Sequence, residues 1–466
     1  MVARARELYR DWDLAALPAH LQRNSLDYYY LSVWPGLGDL RPVEELTLPT
    51  RPREVRYAYV HLPFCSGVCD FCSYFLTTAK GDGDPKINRY LDQLLAQVDI
   101  HRRDLDITIA SIYLGGGTPS ILTPGQLAKL LGGLRERGIL DPAMVGTMEL
   151  HPELFADEPR LARTLEVLAQ HGIRRVSIGY QSDDDTLLDA TNRRHHGGFL
   201  GLAADRLRSA GFAFNVDLMY GLPRQSLDTW VGSIEAVLAV RPDSIATYFT
   251  FVDPGTLLWR RVKQSRERVA STEDAQLQHL AAQVALEDAG YHELPGDFWA
   301  VPTEDPAAWT QFALPSQANS LALGAGAYGY YPGVQYFNEF RFDRFATAVA
   351  AGRPPLWRAA VLTPAQDLAR DVMFSLKNAP LLRLDLFRQR YGTDPVAAFP
   401  AQFDQLVRWG LVDVNEQAVR LTAKGRLVVE EIACLFAVDT PQGTVGASRV
   451  EENLIRKHHF APTYGR

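Results

Sequence analysis

From about residue 55 the chain alternates short apolar runs with stretches whose apolar positions recur every three or four residues. This is the pattern of parallel strands joined by crossover helices. Six runs read as strands: Tyr57–Leu62, Ser111–Leu114, Thr147–Leu150, Arg175–Tyr180, Phe214–Met219 and Ser244–Phe249. Between them the stripe Ile87, Leu91, Leu94, Leu95 and Val98 predicts a helix over Ile87–Ile100. Another covers Asp157–His171 and is closed by Gly172, where a helix can end in a left-handed residue. Thr123-Pro-Gly-Gln126 predicts a capping box with proline at the first helical position. Six βα units imply an α/β partial barrel, open on one side, with its chemistry at the C-terminal strand ends.

The flanks break this rhythm. Residues 1–54 form a less regular extension with Tyr28-Tyr-Tyr30 and Trp34-Pro-Gly, and residues 55–345 hold the barrel. Over 346–466 the pattern turns helical and then short-stranded, through Leu382–Tyr391, Gln402–Trp409 and Val419-Arg-Leu-Thr-Ala-Lys-Gly425, with a helix from Arg426. That end predicts a small helical, winged-helix-like domain.

Composition narrows the function. With 466 residues, 47% of them hydrophobic, the chain can bury one large domain plus appendages. Its 48 basic against 55 acidic residues give a net charge of −7, which offers no general attraction to nucleic acid or anionic membranes. No 18-residue apolar run and no signal-peptide core occur, so the expectation is a cytoplasmic protein with neither a membrane nor a nucleic-acid partner.

Cysteine placement is more specific. Cys65, Cys69 and Cys72 fall within eight residues, directly after the first strand, while Cys434 lies in an apolar run and reads as a buried small hydrophobe. Three local thiolates can cage a 4Fe–4S cluster and leave one iron without a protein ligand. Zinc or a disulfide is the alternative use. His61 is the one nearby candidate to complete a zinc tetrahedron, and it reads as a strand end.

The loop Cys65-x3-Cys69-x2-Cys72, with Phe71 before the third cysteine, resembles the radical S-adenosylmethionine (SAM) superfamily. Within it, Tyr59-Val-His-Leu-Pro-Phe-Cys65, Gly115-Gly-Gly-Thr-Pro-Ser120, Glu149-Leu-His-Pro-Glu153, Ser177-Ile-Gly-Tyr-Gln-Ser182 and Asn215-Val-Asp-Leu-Met-Tyr-Gly-Leu-Pro223 resemble the oxygen-independent coproporphyrinogen III oxidase subfamily. The resemblance implies a cluster on Cys65, Cys69 and Cys72. It also implies SAM beside Phe71, Gly115, Gly116, Gly117, Thr118, Glu149, Gln181, Arg193, Asp217 and Met219, with some of these serving a second SAM molecule. Met219 alone would read as a core residue. Gly324-Ala-Gly-Ala-Tyr-Gly329 matches a dinucleotide fingerprint without the helix that should follow, and Tyr328, Tyr330 and Tyr331 after it read either as pocket lining or as turn packing.

Departures from the subfamily pattern then select a branch. The oxidases carry another cysteine two positions beyond the third ligand, where this chain has Tyr74, and no His-Asn pair of the haem-chaperone motif occurs. The expectation is therefore a class C methyltransferase-like enzyme. Two SAM molecules would transfer a methyl or methylene group to an sp2 carbon of a small molecule or peptide, by C-methylation or cyclopropanation. The alternatives are a coproporphyrinogen dehydrogenase or haem-opening enzyme, and a haem chaperone. An external donor such as flavodoxin or ferredoxin would supply the electron to a monomer. No residue is assigned as the proton acceptor.

Overall fold

The six expected strands form, as Glu54–Leu62, Asp106–Gly116, Leu140–Leu150, Ile173–Gln181, Ala213–Tyr220 and Ser244–Phe249. They pair in parallel in chain order within one sheet. The computed structural model describes residues 1–22, 34–36, 39–49, 54–79, 84–193, 195, 198–253, 255–294, 297–302, 319–378 and 381–437. Tyr28–Tyr30 and the end of the chain from 438 lie outside them. Among the described residues no helix is long and apolar enough to cross a membrane.

The sheet is larger than the six-unit reading. A seventh parallel strand, Ser320–Leu323, pairs outside Glu54–Leu62, and the antiparallel strands Phe298–Ala300 and His292–Leu294 extend the other edge, making nine strands. The seventh was missed because four residues carry no usable period and the glycines after them read as loop.

Alternation along each strand separates two environments. Val60, Leu114, Met148, Val176, Ile178, Val216 and Leu218 are fully buried among the apolar side chains of the core. Each such side chain contributes about 1.5–3 kcal/mol by burial. Neighbouring positions carry buried polar groups: His61, Thr147, Arg175, Ser177, Asn215 and Ser244. The covering helices start as their caps dictate. Thr123 makes the expected capping box ahead of Pro124–Glu136, and Asp157 caps Glu158–Gln170, after which Gly172 turns at φ +83°.

Around the open side, Arg41–Pro42, Leu356–Val361, Val334–Asn338 and Tyr328–Tyr331 make a four-stranded antiparallel sheet. The C-terminal region is helical and contains a three-stranded sheet of Leu382–Arg383, Ala418–Leu421 and Val412–Val414. Its helix Pro364–Asn378 docks through Asp367, which accepts from Tyr330 Oη at 2.5 Å, and through Lys377, which forms a buried pair with Glu430 at 2.5 Å. One expectation is corrected here. Cys434 is half-buried, not buried, because it sits on a short helix near the described end. Tyr330 and Tyr331 are buried, the first tied to Asp367 and the second packed with Tyr336, and both border a small cavity with Val55 and Leu321, while Tyr328 is exposed.

Candidate active site

The cysteine loop leaves the end of the first strand and is pinned from several sides. Phe64–Cys65 pairs with Thr77–Thr78, the Asp70 amide donates to Thr191 O at 2.9 Å, and Asn192 Nδ2 donates to Val68 O at 2.7 Å. Asp70, nearly fully buried, pairs with Arg261 at 2.7 Å. Cys65 is buried and Cys69 and Cys72 are half-buried. Cys65 Sγ lies 3.4 Å from Thr118 Oγ1, and Arg193 Nη1 lies 3.5 Å from Cys69 Sγ.

This donor set suits an iron–sulfur cluster. Burial pushes the Cys65 thiol to about 11 and the Cys72 thiol to about 12, and each is raised further by the neighbouring cysteines. Three crowded thiols become thiolates only against a strong positive charge, which cluster irons supply. Among the described residues no three His, Cys, Asp or Glu side chains are grouped as for a single metal ion. His61, the zinc candidate, is occupied elsewhere: its Nδ1 is 3.1 Å from Tyr59 Oη and its Nε2 is 3.0 Å from Phe75 O. Burial lowers its pKa to about 4.

Gly115–Gly117 sits where the second strand meets this loop. The Gly117 amide donates to Leu62 O at 2.9 Å, Thr118 N to Phe64 O at 2.8 Å, and Gly116 N to Glu149 Oε2 at 3.3 Å. These amides are therefore engaged within the chain, and the glycines are required by close packing. At Gly116, with φ +113°, a Cβ would stand 2.5 Å from the His61 ring.

Glu149 is half-buried and also accepts from Tyr113 Oη at 2.9 Å. Desolvation raises its pKa to about 7 against the lowering effect of these two bonds. Asp217, expected at a strand end, stands inside its strand. It accepts from Ser177 Oγ at 3.1 Å and Asn215 Nδ2 at 2.6 Å, and burial lifts it to about 6. Gln181 ends its strand at φ +72°. Arg193, in the loop beyond, donates to Gly179 O.

Two orphaned atoms remain: Gln181 Oε1 and Arg193 Nε are buried without partners among the described residues. One accepts and one donates, beside the thiol loop, which is what the amino-acid or ribose part of SAM could satisfy. Phe71 and Met219 are half-buried, so either can offer an apolar wall. Sequence reasoning missed Tyr59 and Tyr113, whose rings stack at 6.1 Å as cross-strand partners. Strand alternation placed both on the polar side and could have found them.

Residues 59–237 match the model of the radical SAM superfamily. The fold matches the solved structure of Escherichia coli coproporphyrinogen III oxidase with a TM-score of 0.74, 24% identity, and coverage of 89% of this chain and 100% of that one. The region 59–237 is thus similar to the radical SAM superfamily, a likeness that implies a 4Fe–4S cluster and SAM. Three curated relatives refine it. The heme chaperone HemW of Mycobacterium tuberculosis is 29% identical over 395 residues, covering 84% of this chain and 97% of its own. That of Bacillus subtilis is 26% identical over 388 residues, covering 82% and 99%. The oxygen-independent coproporphyrinogen III oxidase of Salmonella typhimurium is 26% identical over 446 residues, covering 91% and 95%. Over most of its length the chain is similar to coproporphyrinogen III oxidases and to HemW chaperones.

These relatives overturn the expected methyl or methylene transfer. The class C branch was inferred from Tyr74 and a missing His-Asn pair, two local departures. Similarity that spans nearly the whole of the oxidase and the chaperones outweighs them.

Proposed function

We propose that this chain is a radical SAM enzyme acting on a tetrapyrrole, by oxidation of a coproporphyrinogen III-like substrate. The observation that carries the enzymatic part is the pair of orphaned atoms, Gln181 Oε1 and Arg193 Nε, next to the three-cysteine loop, where Arg193 lies 3.5 Å from Cys69 Sγ. The tetrapyrrole part rests on the nearly full-length likeness to coproporphyrinogen III oxidase. A second reading, haem binding without radical chemistry, is favoured by the HemW relatives.

Cys65, Cys69 and Cys72 would hold a 4Fe–4S cluster, which when bound would supply one-electron reductive chemistry toward SAM. The chain's own residues hold and screen. Glu149, fixed by Tyr113 and the Gly116 amide, presents a carboxylate to a SAM ammonium or hydroxyl group. Gln181 and Arg193 meet the remaining polar groups, and Phe71 and Met219 wall the adenine. Asp217 and Glu149 are near enough for the charge of the first to raise the pKa of the second, and with Gln181 and Arg193 they would serve two SAM molecules per chain, as the resemblance implies. Burial of these groups excludes water from the radical's path. A flavodoxin- or ferredoxin-like donor fits the need for an external electron, and the chain divides into 1–54, 55–345 and 346–466.

Anaerobic incubation of reconstituted protein with SAM, dithionite and coproporphyrinogen III tests this. 5′-Deoxyadenosine is expected together with a mass change in the porphyrinogen. Tight haem binding with no 5′-deoxyadenosine under any condition would replace this reading with the chaperone one. Equilibrium dialysis with labelled SAM gives the number of SAM sites.

A further inference from the structure

At the opening of the barrel the strand Ser320–Leu323 gives way to a tight turn whose Gly324 packs on the backbone of His61 and whose Gly326 packs on the ring of Phe75. Tyr328 follows this turn directly, so it stands beside the segment that trails Cys72. From there a row crosses the antiparallel sheet. Tyr328 is the register partner of Phe337, and Phe337 is the partner of Arg358. Directly opposed residues of an antiparallel pair point to the same face, and the Tyr328 and Phe337 ring centroids are indeed 5.3 Å apart.

The row has an exposed aromatic end and a cationic end. Tyr328 is 37% exposed and Phe337 is half-buried. Arg358 is held in place: Nη1 donates to Leu40 O at 2.7 Å and the guanidinium lies 5.1 Å from the Trp357 ring centroid. Its Nε is buried without a partner among the described residues. Across the same opening Tyr74, two residues beyond Cys72, is 59% exposed. Tyr74 and Tyr328 are both close enough to Tyr59 to disfavour its ionisation.

Resting on the tetrapyrrole reading above, we infer that Tyr328, Phe337 and Arg358 form a specificity shelf on which a propionate-bearing pyrrole ring lies against the aromatic rings while its carboxylate reaches the guanidinium. A flat or gently puckered ring matches the aromatic end. An anionic side chain matches a pre-oriented guanidinium with a spare donor. Tyr74 closes the shelf from the cluster side, where an aromatic ring replaces the smaller side chain expected of the oxidases.

The test uses the full-length, cluster-loaded protein, with coproporphyrin III and its tetramethyl ester as fluorescent probes. Wild type should bind the free acid more tightly than the ester. Arg358→Gln should weaken free-acid binding about tenfold or more and leave the ester unchanged, as expected for a lost charge-assisted hydrogen bond. Tyr328→Leu should weaken both probes about two- to tenfold. Arg358→Lys should restore part of the loss and shows that the position tolerates replacement. If wild type discriminates acid from ester and Arg358→Gln does so equally well, the shelf is wrong and the tetrapyrrole reading survives. If wild type binds neither probe, nor the reduced porphyrinogen by competition, both readings fall.

Discussion

Replacing Glu149 by glutamine makes a quantitative test of the buried polar interior. Burial lifts the carboxyl from an ordinary 4.5 to about 7. Between those values the folded chain holds a proton that the unfolded chain has released, so this group's contribution to stability falls as pH rises through that window. At about 1.4 kcal/mol for each pKa unit, the loss between pH 5 and pH 8 is about 2.5 kcal/mol. Glutamine keeps an acceptor for Tyr113 Oη and sets an amide where Oε2 now accepts from Gly116 N at 3.3 Å. That mismatch costs about 1–3 kcal/mol, equally at both pH values. It cancels when the stability difference between variant and wild type is compared across pH. Urea unfolding of SAM-free protein at pH 5 and pH 8 should therefore show the variant gaining about 2.5 kcal/mol on wild type at the higher pH. A difference that stays flat with pH would mean that Glu149 is solvated or ionised when folded, and the account of its environment would be wrong.

Other perturbations test the loop, the turn and the C-terminal docking. Cys65→Ala, Cys69→Ala and Cys72→Ala should each abolish bound iron and its visible absorbance, whereas Cys434→Ala, on a helix in the C-terminal region, should keep both. Gly116→Ala, with φ +113° and a Cβ meeting the His61 ring at 2.5 Å, should lower stability by about 2–5 kcal/mol, read by urea unfolding. Lys377→Met alone removes the cation from a buried Glu430 and should cost about 3–5 kcal/mol, while adding Glu430→Leu should recover most of it. A double variant as unstable as the single one would show that the pair is not coupled.

Much of the fold was legible because local signals and packing agree. The Thr123 box, the Asp157 cap and the alternation through Val176 and Ile178 each specify the element that forms. Ser320–Leu323 was not legible, since its strand character comes from a partner far away in sequence. The burial of Tyr330 depends likewise on Asp367, which joins it only in the folded chain. At the site, the residue types were visible and their division of labour was not. The Gly116 and Gly117 amides are already bonded, Asp217 is held by Ser177 and Asn215, and among the described residues Gln181 and Arg193 each keep a buried atom unmatched. The branch was misjudged because two residues next to a motif were weighed above similarity spread along the whole chain.

The pairing of Ser320–Leu323 against Tyr57–Val60 has a consequence for how the protein is made. The strand that delivers the cysteines is finished early in synthesis, yet one of its edges is covered only about 260 residues later, a separation that slows assembly. Until then a nascent chain offers a bare strand edge beside three thiols, an invitation to misplaced pairing and oxidation. Insertion of iron and closure of the sheet should thus be ordered events, with the late strand acting as the latch on a chamber whose contents are loaded first. Pulse-labelled chains arrested before and after residue 323 would differ in how readily their cysteines react with a thiol probe.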